Sequence, residues 1–310
     1  MIGKQLKLQL FLMILSIGAI AVLGECKSVE AQPERRKIGK VKKIKQTLRV
    51  EQRLPRKLPM DIAPAIINGI SEPDLEETSP EIKRLTKLIE SNPRNAAAFR
   101  ARGFIYYFDG KYDLAIVDST KAITLNPKDA EAYNNRGLAY DQENQLKRAI
   151  ADYSQALAIN PKYTEVYFNR GSSYLRKKNF QRAIADFTKA IRIYPEYLNA
   201  YAYRGLAYSE NKQFKLAIAD TTKCIELEPE DAGNYLRRGI DYVEDGKYNE
   251  GIADFSKAIE LNPKLVDVYL SRGLAYFDKS DYEKAIADYS KILELNSLFT
   301  IAYYFRGNAI

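Results

Sequence analysis

The sequence of 310 residues contains no histidine and no tryptophan, and it contains only two cysteines. Without histidine, a His-containing zinc site, a Ser-His-Asp triad and a haem histidine ligand are all excluded. Two cysteines cannot form a four-cysteine metal cluster. No Gly-rich phosphate loop or nucleophile-elbow motif is present either. We therefore predict that the chain is not an enzyme and that it binds no metal and no cofactor.

Positive charge is concentrated in one short segment. The whole chain has a net charge of +8, but residues 32–58 alone carry eleven basic and two acidic side chains. Residues 59–310 have a net charge of −2. Binding to nucleic acid requires basic residues clustered on the folded surface. The charge of the main body therefore gives no support for a nucleic-acid partner.

The first residues have the pattern of an export signal. Lys4 and Lys7 precede an uncharged, mostly apolar run over residues 10–23, and this run is shorter than the ~20 residues that span a bilayer. We predict a signal peptide over residues 1–31, with cleavage after Ala31. The chain would then be extracytoplasmic, in a periplasm, at a cell surface or secreted. The alternative is an uncleaved signal anchor that holds the chain at the membrane.

The segment after the predicted signal is basic and poor in aromatic residues. Such a composition buries too little apolar surface to offset the entropy lost on ordering, so we expect residues 32–78 to be a largely disordered linker and connector. Alternatively, residues 32–58 bind anionic lipid or an anionic wall polymer, at ~1 kcal/mol per basic residue close to such a surface.

The rest of the chain repeats at a fixed interval. Arg-Gly recurs seven times at period 34, and its glycines are Gly103, Gly137, Gly171, Gly205, Gly239, Gly273 and Gly307. Tyrosine lies three residues after each of the first six glycines. We predict an array over residues 79–310, with a capping helix at 79–95, six repeats at 96–299 and a partial seventh at 300–310.

Each repeat has the pattern of two amphipathic helices. In the second repeat, Tyr133, Gly137 and Tyr140 lie on one helical face, and a second apolar stripe begins at Leu146. Pro161 ends that stripe, since the residue before a proline avoids the α region. One such helix pair cannot bury its apolar face alone, so stacked pairs are expected.

An aromatic residue four before the glycine, Tyr three after it, a later Ala-x-x-x-aromatic pattern and a proline, all at period 34, resemble the tetratricopeptide repeat. The resemblance covers residues 96–310. It implies an all-α, right-handed solenoid of stacked antiparallel helix pairs. The sequence departs from the family at the arginine before each glycine, where leucine is expected, at Ser119 and Thr221, where an aromatic is expected, and at Gly251, where alanine is expected.

The repeated arginine is accompanied by an aspartate sixteen residues later in all six complete repeats. This pairing predicts an Arg–carboxylate bridge within or between repeats, with a structural role. The glycine is small because the two helices must approach closely. The structural residues predicted for the second and third repeats are Arg136, Gly137, Asp152, Arg170, Gly171 and Asp186.

The resemblance also implies where a partner binds. In this family the concave face is lined by first helices, through the second, fifth, sixth, ninth, twelfth and thirteenth positions of each repeat. The candidate residues are Glu131, Asn135, Glu165, Asn169, Asn199, Tyr203, Arg237, Asp267 and Ser271. Asn135 and Asn169 resemble the asparagines by which some relatives hold a peptide backbone, whereas Glu131 and Glu165 would repel an acidic C-terminus. We expect a neutral or basic extended segment.

Two functions are therefore predicted for the chain. The first is a non-catalytic scaffold that binds a peptide or protein segment on the concave face of an exported array. The second is a membrane- or cell-wall-associated envelope assembly factor tethered through residues 32–58.

Overall fold

The computed structural model describes residues 79–309, which form fourteen α-helices and no strand. Within each of two compact units, consecutive helices pack against each other, and the predicted all-α solenoid of stacked helix pairs is confirmed. The predicted signal peptide, residues 1–31, and the predicted linker, residues 32–78, lie outside the described residues.

The two compact units of the described chain are residues 79–246 and residues 247–309. The first unit contains ten helices, which are α1 (Pro80–Ser91), α2 (Ala96–Phe108), α3 (Tyr112–Leu125), α4 (Ala130–Gln142), α5 (Leu146–Ile159), α6 (Thr164–Arg176), α7 (Phe180–Ile193), α8 (Leu198–Glu210), α9 (Phe214–Leu227) and α10 (Ala232–Glu244). The second unit contains α11 (Tyr248–Leu261), α12 (Val266–Asp278), α13 (Tyr282–Leu295) and α14 (Thr300–Ala309).

Local side-chain chemistry sets where the helices begin and end. The side chains of Asn95 and Asp129 accept hydrogen bonds from the first-turn amides of α2 and α4, which satisfies donors that have no partner inside the helix. After α3, Asn126 Oδ1 accepts from the Lys128 amide at 3.2 Å, and this bond closes the turn that leads to the next pair. In the first repeat the helices so bounded have 13 and 14 residues.

The turn inside each pair requires a left-handed backbone. Gly110 has φ +70° and Gly246 has φ +82° at this position. The same position is occupied by residues with a side chain in four other turns, at Asn144, Lys178, Lys212 and Ser280. Those four turns adopt a conformation that disfavours a β-carbon, so they store some strain.

The repeated glycine allows the two helices of a pair to touch. A β-carbon added to Gly137 would lie 2.7 Å from Cε1 of Tyr153, and one added to Gly171 would lie 2.8 Å from Cε1 of Phe187. Tyr153 and Phe187 are almost completely buried, with Ala149 and Ala156 beside the tyrosine. At Gly137 and Gly171 an aromatic ring of the second helix therefore packs directly on the glycine, which is the close approach of the two helices that the sequence predicts.

The predicted arginine bridge is present and is bidentate. Arg136 donates from Nε and Nη2 to the two carboxylate oxygens of Asp152, both at 2.8 Å, and Arg170 does the same with Asp186. The bridge thus joins the two helices of one repeat. Burial raises the pKa of the Asp186 carboxyl even though Arg170 donates hydrogen bonds to it.

The same arginines also reach the preceding repeat, which the sequence reasoning did not predict. The free Nη1 of Arg136 donates to Thr120 Oγ1 at 3.1 Å, and that of Arg170 donates to Ser154 Oγ at 3.0 Å. The hydroxyls that serve this contact recur with the same period, once in α1 and once in each of the first five repeats, at Thr86, Thr120, Ser154, Thr188, Thr222 and Ser256. Arg136 and Arg170 therefore each fix both their own helix pair and its neighbour.

The second unit has its own core around Tyr289. Its ring stacks on Phe305 of α14, with ring centroids 5.7 Å apart, and Leu270 and Leu274 of α12 pack around it. The sequence predicts that Ile301, Tyr304 and Phe305 cover the last complete repeat. Phe305 does so, but 41% of Tyr304 is exposed, because α14 turns Ala302 and Phe305 toward α13 instead. The side chain of Ile301 lies outside the described part of the structure.

Candidate functional site

The first helices of neighbouring pairs lie side by side in the first unit. α2 contacts α4, α4 contacts α6 and α6 contacts α8, whereas no two neighbouring second helices within residues 79–246 come as close. The first helices therefore line the inner curve of this unit. We call the surface formed by α2, α4, α6 and α8 the inner face.

The two predicted glutamates of the inner face have different surroundings. Glu131 accepts a charged hydrogen bond from Arg100, with Nη1 and Oε2 2.6 Å apart, and the same nitrogen lies 3.2 Å from Asp129. Glu165 is half-buried, and none of the described basic residues pairs with its carboxylate. Asn199 lies half-buried at the corresponding place on α8.

The two asparagines predicted on the binding surface are both buried. Asn169 is 8% exposed, and its Nδ2 donates to Asn134 Oδ1 of the preceding repeat at 3.1 Å. Asn135 is 7% exposed, and its amide makes no hydrogen bond to any of residues 79–309. Asn169 therefore stabilises the stacking of repeats, whereas the Asn135 amide has an unused donor and acceptor.

Tyr203 was predicted on the binding surface, and the structure places it in the core. Its ring is 6% exposed and packs against Phe168 and Phe187, with centroid distances of 5.0 Å and 6.0 Å. The aromatic ring is large enough to fill the gap between α6, α7 and α8, so burial wins over exposure. On α10, Arg237 folds back along its own helix, where Nε donates to the carbonyl of Gly233 at 3.2 Å.

Asp267 and Ser271 belong to the second unit. Ser271 is 4% exposed, and its hydroxyl donates to the backbone carbonyl of Asp267 at 2.9 Å. Ser271 is therefore buried where α12 packs and does not lie on an accessible surface. Its small hydroxyl can be buried because it donates a hydrogen bond to a backbone carbonyl one helical turn earlier. Asp267 is half-buried at the start of α12.

An aromatic patch at the first repeat was missed by the sequence reasoning. Phe104 and Phe108 of α2 meet edge to face, with centroids 4.8 Å apart, and Tyr107 lies 5.3 Å from Phe108. Nearly half of Phe108 is exposed. These residues occupy the ninth, twelfth and thirteenth positions of the repeat, so their place on the inner face could have been found from the spacing.

Two tyrosines stand at the N-terminal edge of the inner face. Tyr163 and Tyr197 precede α6 and α8, where Asp129 caps α4. Burial, together with the nearby carboxylates of Glu131 and Glu165, raises the pKa of Tyr163 to about 12. Burial and Glu165 also raise the pKa of Tyr197. The charge of the Glu165 carboxylate therefore acts on both phenols.

A polar cavity of about 420 Å³ opens beside Tyr163, between the ends of the first two repeats. Arg100, Asp129 and Glu131 line it, together with Asn126 and Asn160. The cavity gives room for a side chain at the edge of the inner face.

Residues 79–309 contain no group of three or more His, Cys, Asp or Glu side chains that could hold a metal ion. Within the same residues, none of the helices has both the length and the apolar character needed to span a bilayer.

Models of one repeat family match most of the array. Residues 130–163, 164–197 and 266–297 match a model described as tetratricopeptide repeat, and residues 198–231 match a second model of that description. Residues 105–142 and 239–280 match a model described as TPR repeat. No curated protein matches the chain in sequence.

Solved structures share this architecture. YrrB, described as a TPR protein with an unusual peptide-binding site, is 27% identical over 60% of this chain and 96% of its own, with a TM-score of 0.53. The C-terminal part of a TPR repeat-containing protein from Cytophaga hutchinsonii is 25% identical over 72% of this chain and 92% of its own, with a TM-score of 0.63. MamA is 25% identical over 55% and 92%, with a TM-score of 0.52.

Proposed function

The chain belongs to the tetratricopeptide repeat family, and on that premise we propose that it is a non-catalytic scaffold that binds an extended peptide or protein segment. The binding surface is the inner face of the first unit. The similarity to YrrB, a protein with a peptide-binding site, supports this class of function.

The observation that carries the proposal is the combination of two features on one surface. The aromatic patch of half-buried Phe104 and exposed Phe108 can bury an apolar side chain of a partner. The unpaired amide of Asn135 can both donate to and accept from the backbone of an extended segment. Together they suit a peptide that offers an apolar anchor and a free main chain.

Selection of random short peptides displayed on phage against the purified full chain tests the proposal. We expect enriched peptides whose affinity, measured by fluorescence anisotropy, falls at least about tenfold in Phe108→Ser. The matched control is Val117→Ser, since Val117 is an exposed apolar residue of the same repeat on the second helix. If no peptide is enriched, or if both variants bind equally well, the inner face is not the binding surface.

We also propose that the chain is exported and that residues 32–58 hold it near an anionic membrane or wall polymer. The concentration of eleven basic residues in this segment supports the second point. Mass spectrometry of the chain after expression in a secreting host should find a new N-terminus after Ala31. Binding to vesicles containing anionic lipid should weaken with added salt and disappear when residues 35–57 are deleted.

A further inference from the structure

We propose that the inner face holds an arginine side chain of the bound segment at Glu165, which rests on the proposed function and specifies the chemistry of its partner. The repeats themselves provide the template. Where the first repeat meets the second, Arg100 fills the space beside Glu131 and Asp129, with its Nη1 2.6 Å and 3.2 Å from their carboxylates.

One repeat further on, the carboxylate is present but the guanidinium is missing. Where the second repeat meets the third, Glu165 takes the place of Glu131, and Asn134 takes the place of Arg100. Asn134 is neutral, and its oxygen already accepts from Asn169. None of the other described basic residues pairs with Glu165. The contact between the second and third repeats therefore has a carboxylate at the same place as the contact between the first and second repeats, but it lacks the guanidinium.

The surroundings of Glu165 suit a cation that arrives from outside. Tyr163 takes the place of Asp129 where the second repeat meets the third, and Tyr197 holds the corresponding place one repeat further on. A guanidinium can stack on a phenol ring while it donates two parallel hydrogen bonds to a carboxylate, which an ammonium group cannot do. The site therefore favours arginine over lysine.

A second observation places the main chain of the same segment. Asn135 lies one turn from Glu131 on α4, as Asn169 lies one turn from Glu165 on α6. Asn169 has a partner on the preceding repeat, whereas the side chain of Asn135, a residue that is 7% exposed, makes no hydrogen bond to the other described residues. A backbone amide of the segment would satisfy it. The side chain that follows would then reach the neighbouring repeat, where Glu165 lies.

The peptides selected on the full chain provide the test. We expect them to share an arginine at one fixed position. Replacing that arginine by citrulline, which keeps the shape and removes the charge, should weaken binding about tenfold. Glu165→Gln should weaken binding of the arginine peptide by a similar factor and leave the citrulline peptide unaffected. Asp113→Asn is the matched control, because this exposed carboxyl lies on α3.

A second variant tests the template directly. Asn134→Arg should supply the missing guanidinium within the chain and compete with the arginine of the peptide, so affinity should fall about tenfold. Asn134→Met removes the hydrogen bond to Asn169 without adding a charge, and it should have a smaller effect.

The outcomes separate the two proposals. Peptides that bind in a Phe108-dependent way but tolerate citrulline, lysine or Glu165→Gln without loss would overturn the arginine site and leave the scaffold function standing. A selection that yields no binding peptide would overturn both.

Discussion

At the residue scale, the arginine that replaces the expected leucine explains much of the architecture. Its guanidinium uses two nitrogens on an aspartate of its own repeat and the third on a hydroxyl of the preceding repeat. Two tyrosine rings flank it, with centroids 5.7 Å and 5.9 Å from the guanidinium carbon of Arg136. A partly buried ion pair is tolerated when all its polar atoms are satisfied in this way.

Replacing Arg170 by alanine should lower the free energy of unfolding by about 3–5 kcal/mol, because the buried carboxylate of Asp186 loses its partner. Urea denaturation followed by circular dichroism measures this change. The affinity for a selected peptide should not change in conditions where the variant is folded.

The double substitution Arg170→Met with Asp186→Leu is the control for this prediction. It removes both charges and should recover most of the lost stability. An unchanged denaturation midpoint for Arg170→Ala alone would show that the bridge contributes nothing.

The second prediction at this scale concerns the reactivity of the buried thiol of Cys224. Burial raises its pKa to about 12, so almost no thiolate exists at mildly alkaline pH and the native thiol should not react with Ellman's reagent. The folded-state pKa exceeds the ordinary value of 9.0, so the folded state holds this proton more tightly. Its contribution to stability should therefore fall as the pH rises from about 9 toward 12.

The measurement uses Cys26→Ser, which leaves Cys224 as the sole thiol of the chain. Reaction should be complete in denaturing guanidinium chloride and negligible without it. Rapid reaction of the native protein would mean that the thiol is accessible.

At the element scale, the turns inside the helix pairs differ in backbone strain. Lys178 has φ +56°, in the left-handed region, whereas its neighbour Lys177 has φ −80°. Lys178→Gly should therefore raise the free energy of unfolding by about 0.5–1 kcal/mol. Lys177→Gly should lower it, because glycine there only adds freedom to the unfolded chain. Thermal denaturation of the two variants side by side checks this, and equal shifts would contradict it.

The repeated glycines also differ in how tightly they are packed. At Gly137 an added β-carbon would meet the Tyr153 ring at 2.7 Å, but at Gly205 the nearest atoms would be 3.4 Å away, in ordinary contact. Gly137→Ala should cost about 1–3 kcal/mol. Gly205→Ala should be neutral or stabilise its helix by up to about 1 kcal/mol.

Urea denaturation of both glycine variants gives the comparison. A loss of stability at Gly205 equal to that at Gly137 would show that the aromatic ring is not the cause.

The helix pairs could be predicted from the sequence because one constant period fixes the spacing of glycine, tyrosine and proline at once. The role of Thr120 and Ser154 was missed, although hydroxyls recur with the same period, because Ser and Thr are common on exposed helix faces. The burial of Tyr203 could not be predicted from its repeat position. It depends on Phe168 and Phe187 leaving a gap of the right size, which is a property of packing.

At the scale of the whole molecule, stability should vary along the first unit. The energy of a repeat array is close to a sum over neighbouring contacts, so helices with fewer buried side chains open more often. α1 buries Ile82 and Leu85, whereas α7 buries Ala183, Asp186, Phe187 and Ala190. Amide hydrogen exchange followed by mass spectrometry should therefore be faster in α1 than in α7. Equal protection would indicate that the unit unfolds in one cooperative step.

The hydroxyl contact of each arginine has a consequence for how such a chain can change over generations. Thr120 and Ser154 serve the next arginine equally well, at 3.1 Å and 3.0 Å. A stretch of DNA encoding one period could thus be copied or lost, and the flanking blocks would still meet through the same interlocking groups. The number of repeats can therefore change by whole repeats during evolution, while the few residues that differ between repeats determine what each repeat binds.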